Sequence, residues 1–506
     1  MDEIANLARI VTLRRASSPP LLNLDEAKPS KEVQLVNALV KTTGVTQQQL
    51  VRELYGSTGS ANAVAFRKLR SRVQTKLLNH LFFLDHSDPR HIVTRRYEMQ
   101  VLGLFHQVSA LYAEGEYVLS ARLLRKCLRL AEEGEFTWYS LQAARTLRAI
   151  YADQGQAASY RAIEKKLAKL QQQLGWEEEV ERLNAEVKLL FVSTVASRRA
   201  NMAKLPAYIK QIEDLHRRAR SYNTFFPLYR LRLAQEEAVG NYSEIINITT
   251  DAARRLQQGK LNERRFDKRF NNFMSVYAHL RGGQAVRGLK LAEVYARDFH
   301  HSSTNWFYFH EHYLLLALHA GQYERAQRIL QTVSKNQSYP KQRPAAQQRW
   351  ELFRAYVEFL QPTPAAPLKA RSIAQWALMI PEYNRDKRGH NVAILVLQML
   401  YYLRQRDLDA VLVRMERLRK YQQRHLREAA TLRSRLFLRL LALVVEKDFD
   451  ADECAEKGQN ILAKLRAAPQ PGEAYAQIEI IPYENLWAIT LQLLRNGPRM
   501  AARQQA

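Results

Sequence analysis

The sequence predicts an all-α protein: a superhelix of stacked helix pairs (an α-solenoid) preceded by a separate N-terminal helical unit. Three observations carry this. Apolar residues recur with a 3.6-residue period through most of the 506 residues. Only 18 Gly and 16 Pro occur, mostly between long periodic segments, where a large β protein would need many more turn residues. A short glycine-headed phrase returns at steps of about 40 residues, the period of a helical repeat array.

Composition bounds the rest. Hydrophobic residues make up 46% of the chain, ample for a large core. Length alone would suggest about three compact domains, but repeats that pack only on their neighbours escape that estimate. Lys and Arg number 77 against 50 Asp and Glu, a formal charge of +27. Such an excess attracts polyanions. Nucleic acid is the commonest of these; acidic proteins and anionic membrane surfaces are rivals, and an Arg-rich composition raises the charge with no such partner. Cys127 and Cys454 each lie inside a helical pattern, as small buried hydrophobes do in a reducing compartment. The first twenty residues lack the continuous apolar stretch of a signal peptide. The richest apolar run, Leu436 to Val445, is interrupted by Arg439 and falls short of the roughly 18 residues a membrane span needs. A soluble cytoplasmic protein without a membrane partner is expected.

Taken in order, residues 1–30 read as a flexible tail broken by Ser17-Ser18-Pro19-Pro20 and Pro29. Residues 31–96 form a basic helical unit. There Thr46 is a good N-cap, and Leu50, Val51 and Leu54 make an apolar stripe ahead of Gly56. A long helix follows from Ala61 to about Phe83. It should bury Val64, Leu69, Val73, Leu77, Leu78 and Leu81 and display Arg67, Lys68, Arg70, Arg72 and Lys76.

From 97 to 467 the chain repeats. The phrase recurs as Gly115-Glu116-Tyr117, Gly155-Gln156-Ala157, Gly240-Asn241-Tyr242, Gly283-Gln284-Ala285 and Gly321-Gln322-Tyr323. Degenerate copies fall at Arg406-Asp407-Leu408 and Lys447-Asp448-Phe449, and no clear copy falls near residue 197. Gly just past a helix end can adopt the left-handed conformation that releases the chain. The large residue two places on packs into the turn, and a small residue such as Ser120, Ala121 or Ala326 lets the next helix come close. Loops interrupt the array at 339–344, 362–367 and 381–391. Residues 468–506 comprise a capping helix, about 474–495, and a fraying tail.

Leu111-Tyr112-Ala113-Glu114-Gly115-Glu116-Tyr117 and Gly321-Gln322-Tyr323-Glu324-Arg325-Ala326 resemble the tetratricopeptide repeat, with its Gly-x-Tyr-x-x-Ala turn. The resemblance covers roughly 370 residues, and the period is longer than that family's 34. It is closer to the longer variant in the sensor arrays of bacterial transcription activators. What it implies is a right-handed superhelix with a concave surface for a protein partner, and no intrinsic catalysis. The N-terminal unit resembles a bacterial winged-helix/helix-turn-helix, with Leu69-Arg70-Ser71-Arg72-Val73 in the place of the recognition helix. That resemblance implies a helix that enters the major groove, where Arg reads guanine edges. Where a wing would follow, Asn79 to Asp85 instead continues as an apolar helix. A capping hairpin that starts the array accounts for the same residues.

Two further basic faces are candidate nucleic-acid or anion contacts. Arg264, Arg265, Lys268 and Arg269 flank Phe266, Phe270, Phe273 and Tyr277; basic residues among aromatics can hold single strands, but these aromatics have core spacing. Arg417, Lys420, Arg424 and Arg427 form a stripe opposite Leu408, Leu412, Met415 and Leu418. Catalytic and metal motifs are weak. In His310-Glu311-His312 the histidines are two apart and point in different directions on a helix, whereas zinc-protease ligands are four apart. Asp448, Asp450 and Asp452 mimic a calcium loop, but its sixth and twelfth places hold Glu453 and Gln459. His300-His301 sits near a turn. No P-loop or dinucleotide fingerprint occurs. The expectation is a non-enzymatic, cofactor-free scaffold that binds a protein partner, with basic faces that also engage nucleic acid. The alternative is a DNA-binding transcription regulator with residues 31–96 as its reader.

Overall fold

The computed structural model describes residues 2–13, 20–25, 28–41, 45–86, 93–192, 201–361, 391–405, 407–425, 432–468 and 479–496. These residues form 21 α-helices, three short 3-10 turns and no strand, so the fold is all-α. Contacts divide the chain into two units, residues 1–174 and 175–506.

The first unit holds α1 (Asp2–Leu13), α2 (Lys31–Lys41), α3 (Gln47–Tyr55), α4 (Ser60–His80), α5 (Val93–Ala113), α6 (Tyr117–Glu133), α7 (Thr137–Asp153) and the first half of α8 (Ala157–Val192). Helices α2 to α4 have a core of their own, built from Leu35, Leu50, Val51, Leu54, Phe66, Leu69 and Val73. Helices α5 to α8 share another, centred on Val101, Leu124, Cys127, Ala144, Leu147 and Ile150. Residues 93–96, expected in the N-terminal unit, are the first turn of α5.

The expected N-terminal tail contains a helix and a stretch held on α4. Residues 2–13 are helical, and Pro20 to Leu22 are held on the end of α4. There Asn79 Nδ2 donates to the Pro20 carbonyl (2.8 Å) and the Leu22 amide donates to His80 Nε2 (3.0 Å).

The second unit begins within α8 and continues through α9 (Leu205–Ala219), α10 (Tyr222–Val239), α11 (Tyr242–Gln257), α12 (Lys268–Arg281), α13 (Ala285–Tyr295), α14 (Thr304–His319), α15 (Tyr323–Ser334) and α16 (Pro344–Leu360). It ends with α17 (Asn391–Gln405), α18 (Leu408–His425), α19 (Leu432–Glu446), α20 (Ala451–Ala467) and α21 (Tyr483–Arg495). Successive helices pack on one another, and α12 and α19 also reach the helix after next. Its largest core is set by fully buried Phe307, Phe309, Trp350, Tyr356, Phe437 and Trp487. The last helix runs from Tyr483; residues 474–478 of the expected span lie outside the described residues, and Pro482 disfavours helical geometry in the residue before it. Residues 479–484 are pinned by a buried ion pair: Arg433 donates to Glu479 at 2.6 Å and Glu484 at 2.9 Å, and also to the Leu465 carbonyl that ends α20.

The glycine phrase does what its chemistry predicts. Gly115, Gly155, Gly240, Gly283 and Gly321 all have φ between 66° and 80°. The amide after each donates back five residues, as Glu116 does to Leu111 and Gln322 to Ala317 (3.0 and 2.9 Å). The degenerate copy at Asp448 makes the same turn at φ 47°. A like turn at Glu135, where Gly134 comes one place early, and a left-handed cap at Arg220, whose amide donates to the His216 carbonyl (2.8 Å), add to these outside the glycine phrase. Ser120, Ala121 and Ala326 are buried, as their role requires. The large residue is less uniform: Tyr242 is buried, Tyr323 half-buried, and Tyr117 is 42% exposed with its ring edge-on to Tyr112. The missing copy near 197 and the loops expected at 362–367 and 381–390 lie outside the described residues.

Candidate nucleic-acid interface

The three-helix unit α2–α4 is organised by its turn. Thr46 caps α3 with a reciprocal pair: its hydroxyl accepts the Gln49 amide and the Gln49 side chain accepts the Thr46 amide (2.8 Å). Gly56, at φ 79°, ends α3. Four residues, 56–59, lead into α4, and Asn62 Nδ2 ties the turn to Ser57 (2.9 Å). Helix α4 is 21 residues long, about 31 Å, while α2 and α3 have 11 and 9 residues, about 16 and 13 Å. Short partners can cover only part of α4. Its buried stripe is therefore Phe66, Leu69 and Val73, and the expected burial of Val64, Leu77, Leu78 and Leu81 is wrong: all four are exposed. Phe66, not anticipated, is the central contact.

The outer face of α4 carries the basic residues. Arg67, Lys68, Arg70 and Arg72 are exposed. Arg67, Lys68 and Arg70 have no carboxylate partner among the described residues. Arg72 and Lys76 are both engaged by Glu32, at 3.2 and 2.7 Å. The Lys76 ammonium, with help from Arg72, holds the Glu32 carboxyl below the ordinary range. Residues 31–80 hold eight Lys and Arg against two Asp and Glu. Arg52 on α3 and Lys41 at the end of α2 are exposed as well, and neither is among the candidates drawn from the sequence. Their signal was present, since each falls off the apolar stripe of its helix. Behind Phe83, residues 84–86 are not strand, so no wing follows α4 among the described residues.

The other basic clusters are built differently. Lys268 pairs with Asp298 (2.6 Å) and Arg269 with Asp267 (2.7 Å). Arg265 turns inward, donating to Asn223 (2.8 Å) with its guanidinium 4.7 Å from the Tyr222 ring, and Arg264 is half-buried. The adjoining aromatics are core, as their spacing predicted: Phe266 and Tyr277 are buried, and Phe270 and Phe273 pack on them. On α18, Lys420 pairs with Glu416 (2.7 Å) and Arg417 is exposed. Met415 and Leu418 are buried, but Leu412 is 46% exposed, because Val411 and Arg414 take the inward positions. The Arg424 side chain and Arg427 lie outside the described residues.

The stretches examined for catalysis have packing partners. His310 stacks on Trp306 at 3.6 Å and bonds to its carbonyl, and burial lowers its pKa to about 4. Glu311 pairs with Arg349 (2.7 Å), and His312 lies edge-on to Phe273. Asp450 caps α20, and Asp452 meets Arg495 (3.1 Å). His300 bonds to Ser302 (2.8 Å). Cys127 and Cys454 are buried free thiols, pushed by burial up to about 12 and about 11.

One feature built from three helices was invisible in the sequence. A cavity of about 440 Å³ opens between α9, α10 and α11, floored by Phe225, Leu228 and Tyr229 and edged by Glu213, Arg232 and Arg255. Arg232 pairs with Glu213 (2.6 Å), whereas the Arg255 guanidinium lies 4.8 Å from the Phe225 ring. Burial, and then Arg255 and Arg232, lower the pKa of His216 beside them. Among family models, curated proteins and solved structures, none matches the chain significantly.

Proposed function

We propose that the chain is a non-enzymatic helical scaffold whose N-terminal three-helix unit binds duplex DNA through the outer face of α4. The observation that carries this is the trio Arg67, Lys68 and Arg70. They stand exposed, with no carboxylate partner among the described residues, on a helix that follows a four-residue turn and backs onto its own core. A helix about 10–12 Å across fits the major groove, which is about 12 Å wide. Cations that no carboxylate neutralises are the ones free to displace counterions from phosphates. The clusters at 264–269 and 416–420 largely lack this property, since Lys268, Arg269 and Lys420 are paired. In this reading the tetratricopeptide-like helix pairs form a solenoid that takes a protein partner, with the cavity edged by Arg255 as its docking point.

The experiment is fluorescence anisotropy with a labelled duplex at about 50 mM salt, where attraction to phosphate is strong. The wild type binds. Arg67→Ala/Lys68→Ala/Arg70→Ala loses at least tenfold in affinity, and Lys268→Ala/Lys420→Ala stays within about twofold. No binding by the wild type, or equal losses in both variants, would reject the assignment to α4. The protein-only scaffold would then remain.

A further inference from the structure

We propose that the C-terminal end of α4 and the 3-10 turn behind it form a self-association surface whose occupant is the same surface on a second copy of this chain. Leu77, Leu78, Leu81, Phe82, Phe83 and Leu84 are all exposed, Phe82 at 65% and Phe83 at 71%. Leu77 and Leu81 are four apart and fall on one side of the end of α4, and the 3-10 turn carries on with Phe82 and Phe83. Phe82 meets the His106 ring at 5.3 Å and is still mostly open. The polar residues in the run are Asn79 and His80, and both are turned to Pro20 and Leu22. The run at 77–84 therefore offers apolar side chains and no formal charge.

Its size decides what it fits. Six large side chains exposed to this degree present roughly 600 Å². That is the upper end of the roughly 300–600 Å² of the largest apolar patch on an ordinary monomer, where such patches are often functional. Pairing with itself would bury about 1,200 Å², the lower edge of a standard interface. The charge argument points the same way. Two chains of +27 repel each other, and the uncharged run at 77–84 is where such copies can approach at least electrostatic cost. An acidic partner would gain nothing here and would favour Arg67 to Arg70 instead.

The dimer stands independently of DNA, but its spacing rests on the DNA reading. At 1.5 Å per residue, the basic stretch lies about 18 Å from Leu81 along the helix. Two copies joined end to end through this surface would carry their basic faces about 35 Å apart, one turn of duplex.

The test is sedimentation velocity on the full chain from low to high micromolar concentration, without DNA. The wild type is expected as a dimer, twice 58.8 kDa. Phe83→Glu, at an exposed site, should weaken the dimer at least tenfold with an unchanged helical spectrum. Val286→Glu, an exposed residue of the second unit, should leave it intact. A wild type that stays monomeric overturns the proposal, as does a dimer equally sensitive to both changes. A monomer that dimerises only when residues 2–13 are deleted also overturns it, because the surface then belongs to the chain's own α1, whose Ile4, Leu7 and Val11 are exposed. A dimer that binds no duplex upholds this surface and refutes the DNA reading alone.

Discussion

Truncating Tyr242 to Ala should weaken the α10–α12 region far more than the same change at Tyr117. Both residues stand two places after the glycine of a repeat phrase, but their surroundings differ. Tyr242 is 4% exposed, lies edge-on to Tyr277 at 6.0 Å, and accepts a hydrogen bond from Arg281 Nε at 3.1 Å. Its Cβ would lie 3.2 Å from a Cβ placed on Gly282, so the turn closes directly on it. Removing a buried aromatic ring costs about 3–5 kcal/mol. Tyr242→Phe keeps the ring and deprives Arg281 of one acceptor, a loss of about 1–3 kcal/mol. Tyr117 is 42% exposed, so Tyr117→Ala should cost about 1 kcal/mol, that of a partly solvated contact. Hydrogen–deuterium exchange resolves the effect by region: amides of residues 242–281 should lose protection in Tyr242→Ala, in part in Tyr242→Phe, and not in Tyr117→Ala. Urea midpoints should fall in the same order. Equal losses at Tyr117 and Tyr242 would show that burial at the turn does not govern the stability of the pairs.

Glycine substitutions offer a test of sign. Ala is favoured over Gly within a helix by about 1 kcal/mol, so Gly175→Ala, with nothing within 4 Å of the new Cβ, should raise the melting temperature. At Gly288 the new Cβ would lie 2.6 Å from His279 Cβ and 2.8 Å from Leu316, so Gly288→Ala should lower stability by about 1–3 kcal/mol instead; stabilisation there would contradict the packing of α13 on α12 and α14. Acid should destabilise the second unit. Burial lowers the His310 pKa to about 4, opposed weakly by its bond to the Trp306 carbonyl. Below about 6.5 the unfolded chain takes up a proton that the folded chain refuses, so stability declines as pH falls toward 4, by roughly 3 kcal/mol for this residue. His310→Phe should flatten the pH dependence of the urea midpoint between 7 and 5, and an unchanged slope would reject the assignment.

The all-α class and most turns were legible because each rests on a local rule. Gly240 or Gly321 is read directly as a positive-φ helix end, and Thr46 with Gln49 as a cap. Glu135 and Arg220 also take positive φ at helix ends, but residues that ordinarily avoid this conformation do not announce it. The burial register of α4 was misread for a different reason. Its sequence offers more apolar residues than α2 and α3 have length to cover, and length mismatch between helices is a tertiary fact. The basic face of α4 was legible residue by residue. What separates Arg67 and Arg70 from Lys268 is a carboxylate brought in by packing, since Asp298 lies thirty residues from Lys268; the Glu416 partner of Lys420 sits one turn back on the same helix and was legible in the sequence. The groove edged by Arg255 draws on three helices and left no linear trace.

The central claim is that unpaired cations on α4 hold a duplex, and the salt dependence of binding measures it most directly. Each neutralised phosphate contributes about −0.9 to the slope of log affinity against log salt. Lys41, Arg52, Arg67, Lys68 and Arg70 are exposed and have no carboxylate partner among the described residues, so the wild type should show a slope near −4 to −5. Replacing Arg67, Lys68 and Arg70 by Ala should bring it to about −2, a change of about 0.9 for each cation removed. A wild-type slope that the triple replacement leaves unaltered would place the phosphate contacts elsewhere and contradict the account.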